Sequence, residues 1–204
     1  TLANGTGIII NAGSELTFTA TSEINSTAGT LGLNAVQNYG TFNMTGGTIG
    51  TVGFAVGINN MASGTVTISD GTISSVLGLS NAGTATISGT ASITGTGSAG
   101  AVNNTGTLTV SDGSITADNT GAAGIVNTGT LELTGSITDI KGDLAAVHST
   151  AGTVTVSGRF AGTGAQEGTA ILNDGTSKVT VSAGANINNW NIAVDNHATV
   201  VEFN

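Results

Sequence analysis

The chain has 204 residues, 33 of them Gly and none Pro or Cys, and its 3 Lys and Arg against 12 Asp and Glu give a formal net charge of −9. Without cysteine there is no disulfide framework, thiolate zinc site, iron–sulfur cluster or cysteine nucleophile. Without a basic patch, nucleic acid and anionic membrane surfaces are poor partners.

A mean hydropathy of +0.27 and 38 % hydrophobic residues are unlike a disordered chain, which is charged and poor in Val and Ile. The opening TLANGTGIII carries neither Met nor a basic segment, so no secretory leader is expected in it. No apolar run approaches the ~20 residues that span a bilayer, and no membrane insertion of this segment is expected. A chain opening on Thr and closing on VVEFN reads as one domain, 1–204, cut from something longer.

One phrase recurs along the chain. After a looser copy, SELTFTAT at Ser14, come GTFNMTGG at Gly40, GTVTISDG at Gly64, GTATISGT at Gly83, GTLTVSDG at Gly106, GTLELTGS at Gly129 and GTVTVSGR at Gly152, with SKVTVSAG at Ser177 as a second looser copy. The first apolar positions, Leu16, Phe42, Val66, Ala85, Leu108, Leu131, Val154 and Val179, are 26, 24, 19, 23, 23, 23 and 25 residues apart. A second strand follows each phrase, centred on Ile24, Ile49, Ile73, Ile93, Ile115, Ile137, Phe160 and Ile187. A third precedes it and ends near Asn, as in NAVQN at Asn34, AVNN at Ala101 and AILN at Ala170. In AVHST, His148 is expected to take the Asn place.

Three short strands in about 23 residues make one rung of a solenoid, and a rung cannot bury its inward residues until neighbours stack on it. In GTVTISDG, alternation places Val66 and Ile68 inward and Thr65, Thr67 and Ser69 outward. The expected fold is all-β: a right-handed parallel β-helix of eight to nine rungs, the hand taken from the general rule for parallel crossovers. At ~4.8 Å per rung it is a rod of about 40 Å. The turn residues Asn38, Asn81, Asn104, Asn127, Asn173 and Asn196 suit the left-handed conformation, or stack as amide ladders.

Chemistry is sparse. Asp70 and Asp112 share one slot two rungs apart, too far for a shared cation. The turns of Asp118, Asp139 and Asp143 form an acidic edge near Lys141, with Tyr39 and Trp190 as aromatic surfaces for a sugar ring. These five, Tyr39, Asp118, Asp139, Asp143 and Trp190, are the candidate ligand contacts; the plain alternatives are solvated turn carboxylates and, for Trp190, a plug over the last rungs. His148 and His197 lie about two rungs apart with no evident carboxylate partner. No catalytic residue, metal ion or cofactor is expected. Outward pairs such as Thr84/Thr86 and Thr107/Thr109 resemble the flat threonine face of ice-binding solenoids, broken here by Glu132 and Lys178.

The phrases GTVTISDGTI and AVNNTGTLTVSDGSI resemble the β-solenoid regions of bacterial surface adhesins. These are the pectate-lyase-like adhesive domains of serine-rich repeat and other cell-wall adhesins, and autotransporter passengers. The resemblance implies an extracellular, cell-surface module, expected to be monomeric, that binds host or environmental polysaccharide or glycoprotein without turnover. A structural stalk and a polysaccharide-acting enzyme are the alternatives.

Overall fold

The computed structural model describes residues 6–25, 34–50, 54–137, 139–162, 167–198 and 200–204. All regular structure among them is β-strand, and every strand pairing is parallel. The chain is a β-solenoid. One side is a nine-stranded sheet running from Ile8–Ile10 to Trp190–Asn196, in keeping with the eight to nine rungs expected. A 13-stranded sheet covers two further sides. It is continuous because Thr41–Ile49 and Thr65–Ser75 each run round the corner as single strands, where the sequence reading had two short strands.

Alternation produces the core as expected. Val66, Ile68, Leu108, Val110, Ile115 and Val154 are fully buried, and the columns through Val66 and Ile68 continue unbroken from coil to coil. Burying such a side chain contributes roughly 1.5–3 kcal/mol, which no isolated coil could gain. The phrase-initial glycines form a column of their own. A Cβ on Gly83 would lie 2.3 Å from the Gly64 carbonyl oxygen, and one on Gly106 would lie 2.2 Å from that of Gly83. Backbone therefore packs on backbone here.

Two expectations about strands and turns are corrected. The column of second-strand isoleucines does not pass through Ile137: Ile115 is in register with Ile140. Ile137 instead starts a three-stranded sheet with Phe160 and Ile187. The segment SITDI offers Ile at two positions three apart, and coil pairing chooses between them.

The turn asparagines are not left-handed; among the described non-glycine residues only Asn189 has positive φ. They stack inward as a ladder instead. Asn38 Nδ2 donates to Asn60 Oδ1, and Asn60, Asn81 and Asn104 donate likewise to the next coil's asparagine, each at 2.8 Å. These side chains are buried, and a buried amide is stable only when its donors and acceptors are matched. The coil repeat supplies that match. Ser149, not His148, fills the slot after Asn127, whose Nδ2 donates to Ser149 Oγ at 3.0 Å. A Ser177 hydroxyl bonded to Asn173 Oδ1 follows, and Asn173 Nδ2 donates on to Asn196 at 2.6 Å.

Candidate functional site

The outward positions of the recurrent phrase make the most regular surface of the rod. Thr65, Thr84, Thr107, Thr130 and Thr153 stand in register on successive parallel strands, exposed, with Thr67, Thr86, Thr109, Glu132 and Thr155 two residues on. Strand spacing sets neighbouring hydroxyls about 4.8 Å apart. The face is polar and narrow. Glu132 interrupts it with a carboxylate, whereas Lys178 is neutralised by Glu202, Nζ to Oε2 2.8 Å.

The five residues singled out as ligand contacts are spread along the rod. Tyr39 is half-buried, and its Oη accepts a hydrogen bond from Gln37 Nε2 at 2.6 Å. Asp139 pairs with Lys141 at 2.9 Å and lies in register with Ser114. Burial pushes its carboxyl up, but the Ser114 hydroxyl and the Lys141 ammonium outweigh that and hold it below the ordinary aspartate value. Asp143 accepts from the Gly121 backbone N–H at 2.8 Å and so ties two neighbouring turns together. Asp118 is exposed. Trp190 packs on Phe160 with ring centroids 5.4 Å apart, on the last strand of its sheet. The three aspartates belong to two adjacent coils, while Tyr39 and Trp190 lie toward opposite ends. Asp70 and Asp112 each accept from the N–H of the following glycine, Asp70 at the corner within the strand Thr65–Ser75 and Asp112 in the bend between two strands.

Sequence reasoning missed one cluster. Asp174 Oδ2 lies 2.8 Å from His148 Nε2, and its Oδ1 lies 3.0 Å from His197 Nδ1; His197 Nε2 is 3.2 Å from Asp195. The separations 148 to 174 and 174 to 197 are one coil each, so tracking turn residues at the coil period would have found it. The His148 hydrogen bond, opposed by partial burial and helped by His197, lowers the Asp174 pKa. A depressed carboxyl adds stability above its unfolded value, near 3.9, and loses it as pH falls through the folded value. Asp174→Asn should therefore cost up to about 1 kcal/mol at pH 7, the scale of a partly exposed hydrogen bond to a carboxylate. Urea denaturation at pH 7 and at pH 2 should show that gap closing in acid; a gap of constant size would remove the electrostatic account.

Comparison with protein-family models, curated proteins and solved structures found no match in any of the three. Among the described residues no three His, Asp or Glu side chains are arranged to hold a metal ion. The histidine–aspartate cluster links neighbouring coils near the C-terminal end of the rod.

Proposed function

We propose that the chain is a non-catalytic binding module of a bacterial cell-surface adhesin, a stiff rod that holds extended glycan along its threonine face. The observation that carries this reading is the in-register array of exposed Thr65, Thr84, Thr107, Thr130 and Thr153 on parallel strands. Hydroxyls repeating along a straight line suit a ligand that itself repeats, and many weak contacts gain by multivalency. An acidic net charge of −9 favours neutral or basic glycans over sulfated ones by simple repulsion. The resemblance of the coil phrases to adhesin solenoids supports the same class.

A glycan array probed with the intact chain tests it. Thr84→Val, Thr107→Val and Thr130→Val together keep side-chain shape and remove hydroxyls. Binding should fall at least about tenfold, the equivalent of 1.4 kcal/mol, with the melting temperature little changed. An array without hits would favour the second reading, a stalk that holds another domain away from the cell. That reading is supported by the same continuous parallel pairing from Ile8 to Phe203.

A further inference from the structure

The threonine face carries a carboxylate that the face itself does not use. In the outward column through Thr67, Thr86, Thr109, Glu132 and Thr155, the threonines are half-buried while Glu132 is exposed, so its side chain stands proud of the row. Thr109 and Thr155 flank it in register on the neighbouring strands, about 4.8 Å away by strand spacing. Thr130, two residues back on its own strand, lies about 7 Å off, with Thr107 and Thr153 on either side of it. One negative charge is ringed by hydroxyls.

Carboxylates nearer the ends of the same face are accounted for within it. Glu15, in register with Thr41, accepts from Asn43 Nδ2 at 2.7 Å. Glu202 offsets Lys178 at 2.8 Å. Among the described residues no side chain pairs with Glu132. Lys178 stands two coils further on, in the column of Thr130 and Thr153, beyond about 10 Å of strand spacing.

A carboxylate set among hydroxyls fits a ligand that carries a cation among hydroxyls of its own. An ammonium group has three donors and no acceptor. One donor can meet the Glu132 carboxylate while the others reach the Thr109 and Thr155 oxygens. An N-acetylated amine brings no charge, and covering Glu132 with it desolvates the carboxylate without compensation. Sulfated or carboxylated sugars are repelled. A basic peptide also brings cations, but its apolar stems find only threonine around the carboxylate. We propose that Glu132 sets the specificity of the threonine face, selecting glycans of amino sugars with free amines over their N-acetylated and acidic counterparts. This rests on the reading of that face as a glycan-binding strip and adds the class of glycan.

Two oligomers of β-linked glucosamine, one with free amines and one fully N-acetylated, test it by calorimetry on the intact chain. At about 0.15 M salt the screening length is about 8 Å, so remote carboxylates contribute little. The free-amine oligomer should bind about fivefold more tightly, the scale of one exposed charge pair. Glu132→Gln keeps the side-chain shape and should abolish that preference while leaving affinity for the acetylated oligomer unchanged. Glu23→Gln removes the same charge from an exposed position in another strand and should keep the preference. The proposal is overturned if the unaltered chain fails to bind the free-amine oligomer or binds both oligomers equally. It is also overturned if the preference survives Glu132→Gln or is lost equally with Glu23→Gln. A lysine peptide bound as tightly as the free-amine oligomer, with the same dependence on Glu132, overturns the assignment to sugars. The triple threonine-to-valine variant separates this proposal from the reading it rests on. Equal binding of both oligomers that the valines abolish would keep the threonine strip and remove the role of Glu132. A Glu132-dependent preference that persists with the valines would keep the carboxylate site and remove the strip.

Discussion

Asn104→Leu is expected to destabilise the solenoid by about 3–5 kcal/mol, a large part of the total for a domain of this size. The side chain is fully buried at the centre of the ladder. Its loss leaves Asn81 Nδ2 without its 2.8 Å acceptor and removes the donor that serves Asn127 Oδ1, Gly106 O and Thr130 O. Each buried polar group left unpaired costs about 1–3 kcal/mol. Leucine of similar size fills the space, so the loss isolates hydrogen bonding from cavity formation. Asn104→Ser should cost only about 1 kcal/mol, because Ser149 already serves one coil position with its hydroxyl. Urea denaturation of the two variants decides between a structural ladder and incidental stacking. A leucine variant within 1 kcal/mol of the parent, or a serine variant as damaged as the leucine one, would contradict the ladder account.

Gly106→Ala is expected to cost about 3 kcal/mol for a different reason. The added Cβ would lie 2.2 Å from Gly83 O and 2.6 Å from Ala82 C. All of these are backbone atoms fixed by the strand pairing, so no side chain can swing aside. The two coils must part locally, which strains the ladder beside them. Gly168→Ala is the control, since a Cβ there meets nothing within 4 Å and the backbone is extended. It should be neutral or slightly stabilising by restricting the unfolded chain. Thermal melts of both should differ by roughly 10 °C; similar melts would mean that the glycine column is replaceable.

The coil repeat was legible because inward and outward residues alternate with little noise. Val66, Ile68, Leu108 and Ile115 all lie in the core as expected, and the phrase spacing locates each coil. What sequence could not settle were choices that depend on a neighbouring coil. Asparagine by itself favours the left-handed turn conformation, but at a buried position the bonds from coils on either side decide the outcome. Ile137 and Ile140 are equally good strand residues, and only pairing with Ile115 and Phe160 assigns them to different sheets. Gly-Thr looks like turn composition until Gly83 and Gly106 are seen in backbone contact. For the candidate face, the threonine columns were visible at once. The link from His148 through Asp174 to His197 was not, because it joins three coils at positions distant in sequence.

The ladder from Asn38 to Asn127 passes every hydrogen bond the same way, each Nδ2 reaching toward the C-terminal end. Side-chain dipoles aligned head to tail polarise one another, so the row acts as a single long dipole laid inside an otherwise apolar wall. The stretch of the cylinder between those coils is thereby given an electrical direction, so a charge set beside Asn38 and one set beside Asn127 would meet opposite ends of it.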